Sequence, residues 1–428
     1  MRKVLLTLSV LALVGLASFA QTKTVNVMHG WPGEQAPAFE KIVAAFEAEN
    51  PDIDVQVEIV GRDRPAILAT RLAAGNPPDL TPHPWVGTMR QWADAGQIVD
   101  LRGLVDTSDI NPALVPIGEY NSTFLDLGET GLYGLFIFPN VKSLVWYNPK
   151  EFAANGYEVP HTWYELQALS QQILADGGTP WSIGIESGAA SGWPGTDWIE
   201  DIMLRTAGAA IYDKWVNHEI SWTDPRVKKA FEIFGNMFSD GYVLGGAIGA
   251  LTTNFGDAAD PIFLDPPAAY MHHQATFIQG FFNDHFEGLV PGEDYAIFPL
   301  PTITPKATPD GSIPLLVSGD VVTVFNNRPE VIKFAQFLTS ETAANIWSSE
   351  LGELSAYVNA DPEDFDNPIT RQAQEMLLNA TVSRFDGSDL MPAEIGAGAF
   401  WSGVLDYISG INLDTVLESI EASAQDAY

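Results

Sequence analysis

The chain contains no cysteine among its 428 residues. This absence excludes disulfide bonds, thiolate metal sites and cysteine nucleophiles, and it also excludes the lipid-modified cysteine of a bacterial lipoprotein. Basic residues are scarce as well, since 21 Lys and Arg stand against 55 Asp and Glu and leave a net charge of −34 at pH 7. A surface with this charge repels nucleic acids and anionic lipids, so the sequence predicts neither as a partner.

Long apolar runs are missing except at the N-terminus. There Arg2 and Lys3 precede a stretch of thirteen mostly apolar residues, 4–16, which is too short to span a bilayer. Small residues at 18 and 20 then precede Gln21. This pattern predicts a signal peptide over residues 1–20, cleaved after Ala20, and a periplasmic protein that is neither inserted in the membrane nor a lipoprotein.

Motifs for nucleotide binding, serine hydrolysis and zinc proteolysis are also lacking. The chain has no G-x-x-x-x-G-K, G-x-S-x-G or H-E-x-x-H, and Gly396-Ala-Gly398 lacks the third glycine of a dinucleotide loop. The adjacent His272 and His273 would point to opposite faces of a strand, so they do not predict a metal site. We therefore expect no cofactor and no metal ion.

The chain does contain apolar residues with the periodicities of strands and helices in alternation. Residues 25–29 and 53–59 have the pattern of strands, 37–49 and 65–74 that of helices, and Leu80 begins another extended piece. Strands alternating with helices predict a parallel sheet covered by helices, with ligands at the carboxyl ends of the strands. Later helices are predicted at 163–176, 225–239, 329–338, 340–348 and 400–427, a loop at 179–196 before a helix near residue 198, and extended crossings at 136–146 and 296–301.

Aromatic residues are abundant, and five of the twelve tryptophans lie beside Gly, Pro, Asp or His in polar loops. A flat ring next to carboxylates and amides is typical of a carbohydrate site, where C–H faces stack and hydroxyls form hydrogen bonds. These five rings are expected to face one another across one groove: Trp31, Trp85, Trp193, Trp198 and Trp401. Burial in the core is expected for Trp92, Trp146, Trp163, Trp215 and Trp347.

Two acidic groups leave a choice open. Asp197, Glu200 and Asp201 fit a carboxylate cluster for acid–base chemistry, or a helix N-cap at Asp197 with a capping box closed by Glu200. Asp386 and Asp389 form either an ordinary turn or acceptors for a ligand. The residues alone do not decide between these alternatives.

Several segments in order resemble one known family. They include Glu47-Ala-Glu-Asn-Pro51 and Leu72-Ala-Ala-Gly-Asn-Pro-Pro-Asp79, then 141–147, 192–205, 384–392 and 396–401. Together they resemble the extracellular solute-binding proteins of sugar ABC importers, the maltose-binding-protein group, and within it the α-glucoside-binding branch. The resemblance covers essentially all of the chain after the signal peptide.

The resemblance implies a periplasmic-binding-protein-like α/β fold of type II, with two α/β lobes, a hinge and an interlobe cleft. The chain would cross between lobes more than once, so 21–140 with about 300–352 would form one lobe, and about 141–299 with 353–428 the other. The implied function is a periplasmic, non-enzymatic binding protein. It would capture an α-glucoside or related oligosaccharide of the maltose, trehalose or sucrose type by hinge closure. As a monomer, it would deliver the sugar to the transmembrane subunits of an ABC permease.

One alternative remains at this point. A secreted glycoside hydrolase would also line a cleft with tryptophan and carboxylates, but it needs two carboxyl groups at a fixed separation. The sequence does not give that separation.

The resemblance also implies the site residues. Trp401 matches the family's stacking tryptophan at a helix start, and His83 to Trp85 fall on its cleft loop. Three positions depart from the family pattern: Phe277 and Ala275 stand where it has tryptophan and glycine, and Asp320 replaces an aromatic residue. The expected sugar contacts are Trp31, Glu34, Arg64, His83, Trp85, Lys142, Trp193, Asp197, Trp198, Gln274, Phe277, Asp320, Arg384, Asp386 and Trp401.

Overall fold

The computed structural model describes residues 22–31, 35–112, 114–124, 130–239, 241–304, 308 and 311–428. The predicted signal peptide and Glu34 lie outside these ranges. The strands are β1 (Lys23–His29), β2 (Ile53–Ile59), β3 (Leu80–His83), β4 (Glu119–Tyr120), β5 (Gly131–Leu132), β6 (Leu135–Val141), β7 (Leu144–Tyr147), β8 (Trp181–Ser182), β9 (Met271–His273), β10 (Ala296–Pro299), β11 (Leu315–Val324) and β12 (Ser383–Phe385).

Helices account for most of the regular structure. They are α1 (Gln35–Glu49), α2 (Arg64–Ala73), α3 (Val86–Asp94), α4 (Pro149–Asn155), α5 (Trp163–Ala175), α6 (Trp193–Ala207), α7 (Ala209–Val216), α8 (Pro225–Asn236), α9 (Gly246–Thr252), α10 (Ile278–His285), α11 (Pro329–Phe337), α12 (Glu341–Leu351), α13 (Pro368–Asn379), α14 (Gly387–Leu390), α15 (Trp401–Ser409) and α16 (Leu413–Ala427). A π-helical segment, Glu394–Phe400, leads into α15. Within the described ranges, none of the helices has both the length and the apolar character needed to span a bilayer.

The first sheet has the strand order β12-β11-β3-β1-β2, and β6 also pairs with β11. The pairs β1–β2, β1–β3 and β11–β12 are parallel, whereas β11 is antiparallel to β3 and β6. Helix α1 covers this sheet with the predicted apolar stripe, because Phe39, Ile42, Val43 and Phe46 are all buried. The strand–helix alternation predicted for the N-terminal hundred residues is therefore present.

The second sheet has the order β10-β7-β9-β8. Its strands are short, and β7 contributes Val145 and Trp146 to opposite sides of the sheet, both fully buried. The adjacent histidines of β9 make separate hydrogen bonds: His272 with the Ser182 carbonyl and His273 with Asp201. The opposite orientations expected from their spacing are thus seen.

Two hydrophobic cores accompany the two sheets, but they do not follow the predicted lobe boundaries strictly. The first core contains β1, α1 and β11 residues and continues into residues that the prediction assigned to the other lobe. They include Trp146, Ala259, Ile262, Ile278, Phe282, Tyr295, Ile297, Ile369, Ala373 and Phe385. They join it because the face of the second sheet that carries Trp146 packs against α10 and its neighbours, away from α5, α6 and α8.

The chain passes from one sheet to the other at the predicted crossings. Strand β6 ends at Val141 in the first sheet and β7 begins at Leu144 in the second, so only Lys142 and Ser143 lie between them. The return passage follows β10 and leads to β11. Lys142 therefore lies at the junction between the two sheets.

The predicted loop before residue 198 is partly wrong. Helix α6 begins at Trp193, with Gly192 as N-cap and Pro194 in its first turn. Proline is tolerated there, since the N–H groups of the first turn have no partner within the helix. Gly410, with a left-handed φ of 105°, ends α15 and separates it from α16.

Candidate functional site

Helix α6 supplies two of the predicted contacts from one face. Trp193 and Asp197 are four residues apart, and residues at that spacing lie one above the other on a helix. Trp198 is five residues from Trp193 and therefore projects about 140° away. Because α6 begins at Trp193, the side chains of Trp193 and Trp198 point in different directions and do not face the same groove as the predicted loop implied.

Gly192 lets α6 approach the segment that carries Trp401. Its φ is 114°, a value that side-chain-bearing residues rarely adopt, and a Cβ atom there would lie 2.5 Å from the carbonyl oxygen of Trp401. Trp193 and Trp401 are both partly exposed, and the Nε1 atoms of both indoles are buried without a hydrogen-bond partner. These two N–H groups are available to a ligand acceptor.

A cluster of aromatic rings surrounds Trp193. Its ring centroid lies 5.1 Å from that of Phe255 and 6.0 Å from that of Phe277, and Phe281 lies 5.3 Å from Phe255. Phe277, at the N-cap of α10, remains partly exposed. Phe255 and Phe281 were not predicted, since they have no sequence pattern that separates them from core residues.

Lys142 joins two carboxylates beneath this ring cluster. Its Nζ donates to Asp197 Oδ1 at 2.7 Å and to Asp386 Oδ2, and it lies 5.3 Å from the centroid of the Trp193 ring. All three charged side chains are buried. Asp197 Oδ2, on the other hand, has no hydrogen-bond partner.

The register of β11 explains why Lys142 and Asp386 meet. Val317 pairs with Val141 on one side and with Phe385 on the other. Lys142 N donates to the carbonyl of Leu316 and Asp386 N to that of Val317, so the two residues flank β11 at nearly the same level although 244 positions separate them.

The three groups have perturbed pKa values. Burial alone would lower the pKa of Lys142, but Asp197 and Asp386 raise it well above its ordinary value. Burial raises the pKa of Asp197 to about 7, against the opposing effect of Lys142. For Asp386, burial is outweighed by Lys142 and by hydrogen bonds from Asp389 N and Ser388, so its pKa is lowered. Lys142 and Asp386 therefore form the charged pair, and Asp197 is the group whose charge responds near neutral pH.

The capping interpretation of Asp197 and Glu200 is wrong. Both lie inside α6 and not at its N-terminus, because the helix begins at Trp193. Glu200 instead accepts hydrogen bonds from the backbone N–H groups of Gly387 and Ser388, at 2.7 and 2.9 Å. Asp386 is itself the N-cap of α14, since its side chain accepts from Asp389 N.

The first sheet contributes a second group of predicted residues. Trp31 Nε1 donates to Asp320 Oδ2 at 2.7 Å, and the Trp31 ring packs against Phe39, Phe138 and Trp347. Trp31 is therefore held mainly in the core, with only an edge exposed.

Arg64, His83 and Trp85 form a stack beside it. The Arg64 guanidinium lies 4.6 Å from the Trp85 ring centroid, and the ring of His83 stacks on that of Trp85 at 5.5 Å. Trp85 is partly exposed, whereas Arg64 and His83 are buried. Burial, with a further contribution from Arg64, lowers the pKa of His83 well below its ordinary value, so this imidazole is neutral.

Acidic groups from both sides come within electrostatic reach. Burial raises the pKa of Asp389 well above its ordinary value, and Asp386, Asp197 and Asp320 raise it further. Asp320 belongs to β11, in the middle of the first sheet, whereas Asp389 lies on α14 and Asp197 on α6. Asp389 and Asp197 thus lie within electrostatic reach of one another, and Asp389 within reach of Asp320.

Three predicted residues do not join this region. Trp198 is 2 % exposed and packs between Trp181, Phe234 and His273, so its assignment as a groove residue is wrong. Arg384 forms a bidentate ion pair with Asp213 at 2.5 and 2.8 Å. The side chain of Gln274 accepts from the backbone of the next residue, Ala275, at 2.9 Å.

The arrangement suits binding better than acid–base catalysis. The close carboxylates Asp197 and Asp386 share Lys142 between them, which leaves no room for a scissile bond flanked by the two groups. Among the described residues, a group with metal-ligand spacing is formed by Asp257, Asp260 and His285, near the C-terminal end of α10 and apart from Lys142.

Comparison with known proteins places the chain in a family. A family model described as bacterial extracellular solute-binding protein matches residues 31–345. The chain is 41 % identical over 405 residues to the osmoprotective compounds-binding protein GgtB of Synechocystis sp., covering 94 % of this chain and 92 % of that protein. It is 38 % identical over 398 residues to the alpha-glucosides-binding periplasmic protein AglE of Rhizobium meliloti, covering 91 % of this chain and 84 % of that protein.

Solved structures agree on the fold. A chitin oligosaccharide binding protein superposes with a TM-score of 0.80 at 17 % identity, covering 95 % of this chain and 99 % of that chain. The fold is the type II periplasmic-binding-protein fold, as the resemblance implied. With a family model that covers most of the chain and two relatives above 30 % identity along nearly all of it, the protein belongs to the bacterial extracellular solute-binding protein family.

Proposed function

We propose that this protein captures an α-glucoside or a related oligosaccharide, of the maltose, trehalose or sucrose type, for an ABC importer. The observation that carries the proposal is the partly exposed ring of Trp193, with Phe277 beside it, directly above the Lys142–Asp197 ion pair. A sugar presents C–H faces to such rings and hydroxyls to such charged groups. Two of the protein's relatives, one of them named for α-glucosides, favour this ligand class.

Binding would take place between two lobes. Residues 21–140 with about 300–352 would form one, and about 141–299 with 353–428 the other. The sugar would stabilise the closed arrangement because both lobes contact it. The closed protein, as a periplasmic monomer released by cleavage after Ala20, would then deliver the sugar to the permease.

Fewer residues are proposed to contact the sugar than the sequence predicts. Stacking would come from Trp193, Trp401, Phe277 and the exposed parts of Trp85 and Trp31, and hydrogen bonds from Lys142, Asp197, Asp386, Asp320 and Arg64. Arg384 and Gln274 already have partners in the chain, so they would support the site at most indirectly.

A thermal-shift panel tests the proposed ligand class. Maltose, trehalose and sucrose are compared with the β-linked cellobiose. A ligand present at 100 times its dissociation constant stabilises the folded protein by about 2.7 kcal/mol. We expect at least one α-linked sugar to raise the melting temperature and cellobiose to leave it unchanged.

A parallel incubation with an aryl α-glucoside tests the hydrolase alternative. The family is one of binding proteins, so no release of the aryl alcohol is expected. Equal stabilisation by cellobiose would contradict the α-glucoside specificity, and turnover of the aryl glucoside would contradict the binding function.

A further inference from the structure

Glu353 is a buried carboxyl group that forms no ion pair with any cationic side chain in the described part of the chain. It is 3 % exposed, and its Oε2 atom has no hydrogen-bond partner. Its Oε1 atom accepts one long hydrogen bond, from Gln35 Nε2 at 3.3 Å. An unpartnered oxygen on a buried carboxyl group raises the free energy of the folded protein, so a hydrogen bond from a ligand to Oε2 would be stabilising.

The loop that carries Glu353 is fixed from several sides. Glu353 follows Gly352, which ends α12 with a left-handed φ of 68°. Thr370 of α13 donates to the Gly352 carbonyl at 2.8 Å. Asn367, at the start of the same helix, donates to Gln279 of α10, the helix that begins beside Phe277. The position of Glu353 is therefore tied to the helix that presents a ring of the proposed site.

Glu353 also lies near the first-sheet side of the site. Burial raises its pKa to about 7, the bond from Gln35 lowers it, and Asp320 raises it further. Asp320 holds the Trp31 indole and is in turn within electrostatic reach of Asp389. Four acidic groups, each within electrostatic reach of the next, thus lead from one side to the other: Glu353, Asp320, Asp389 and Asp197. The Oδ2 atom of Asp197, like the Oε2 atom of Glu353, has no hydrogen-bond partner.

We propose that Glu353 is a ligand-contacting residue, whose free Oε2 accepts a hydrogen bond from a sugar hydroxyl opposite the one held by Asp197. The inference rests on the proposed function and adds a requirement on the hydrogen-bonding groups of the ligand. A ligand that satisfies both free carboxyl oxygens must present hydrogen-bond donors at two places. This requirement favours a neutral polyhydroxylated or cationic sugar and disfavours an anionic one, which would face carboxyl groups at both places.

Substitution of Glu353 with a matched control tests the contact. Glu353→Gln and Glu353→Ala are compared with Glu350→Gln, three residues earlier in α12, whose side chain is exposed and pairs with Lys41. Calorimetric titration uses whichever panel sugar most stabilises the wild-type protein. We expect the dissociation constant to rise roughly tenfold or more in the Glu353 variants and to stay unchanged in Glu350→Gln.

The melting temperature of each variant without sugar shows whether it folds. Should Glu353→Ala fail to fold, the nearly isosteric Glu353→Gln decides. Wild-type affinity in the folded Glu353 variants would overturn this inference and leave the proposed function intact. If no panel sugar stabilises the wild-type protein, the proposed function and this inference fail together.

A second titration tests the charge preference. Trehalose is compared with its amino derivative and with trehalose 6-phosphate. We expect the phosphate ester to bind at least tenfold more weakly than the other two sugars. Equal affinity for all three would overturn the assignment of Glu353 and Asp197 as the two acceptors.

Discussion

Trp193 and Trp401 are the residues whose loss tests stacking most directly. Their backbones meet at Gly192, and each indole retains a free N–H group. Replacing Trp401 with alanine removes apolar contact with the sugar that contributes about 1.5–3 kcal/mol to binding. We therefore expect sugar affinity to fall by tenfold to a few hundredfold.

Isothermal titration measures this effect. Trp163→Ala provides the matched control, because Trp163 is also partly exposed but lies at the start of α5, with no ring contact to Trp193 or Phe277. Unchanged affinity in Trp401→Ala would show that this ring does not stack on the sugar.

Position within an element decides which side chains reach the site. Trp193 and Asp197 share a face of α6, whereas Trp198 enters the core. The sequence contained this information, since a four-residue spacing on a helix defines one face. The predicted loop conceals this face because Pro194 and Gly195 are typical of loops, although proline is compatible with a first helical turn.

Further along α6, a second buried group links the helix to the crossing segments. Arg205 pairs with Asp201 and donates to the carbonyl oxygens of Leu300 and Pro314, at 2.8 and 2.9 Å. Asp201 also accepts from Ser143, at 2.7 Å. One helix thus carries candidate site residues at its N-terminal end and contacts both crossings between the sheets nearer its C-terminal end.

Asp201→Asn would leave the Arg205 guanidinium buried without its counter-charge. We expect this change to lower the free energy of unfolding by about 3–5 kcal/mol, measured by urea denaturation. Asp213→Asn is the control, because its ion pair with Arg384 is solvent-accessible and worth at most about 1 kcal/mol. Similar losses in the two variants would contradict the structural role assigned to Asp201.

At the scale of the whole molecule, buried carboxyl groups link stability to pH. The pKa values of Asp197 and Glu353 are raised to about 7, and those of Glu200 and Asp389 are raised well above their ordinary values. Between about pH 4 and these values the folded protein holds protons that the unfolded chain has released. The free energy of unfolding therefore falls as the pH rises through this range.

Buried histidines act in the opposite direction, but only at lower pH. Burial lowers the pKa values of His29 and His272 to about 4, so the unfolded chain binds more protons than the folded protein only below about pH 6.5. We therefore expect stability to decline from about pH 6.5 to 8, by up to about 1.4 kcal/mol per pH unit for each carboxyl group.

Urea denaturation at several pH values over this interval measures the decline. Glu353→Gln removes one of the contributing groups, so its decline should be shallower than that of the wild-type protein. A free energy of unfolding that is constant or rises between about pH 6.5 and 8 would contradict the raised pKa values of these carboxyl groups in the folded protein.

The sequence by itself determined the family and the α/β fold, because these depend on local periodicity and on motifs of contiguous residues. It also marked Trp193 and Trp401, the first residues of α6 and α15, as candidates for stacking. It also placed Lys142 at a crossing between sheets. Tertiary structure alone decided that Lys142 meets Asp386, since that contact depends on the register of β11. It likewise decided that Trp198 lies in the core and that Glu353 is buried with its Oε2 atom unpartnered. Burial and pairing are properties of neighbours distant in sequence, and no local pattern records them.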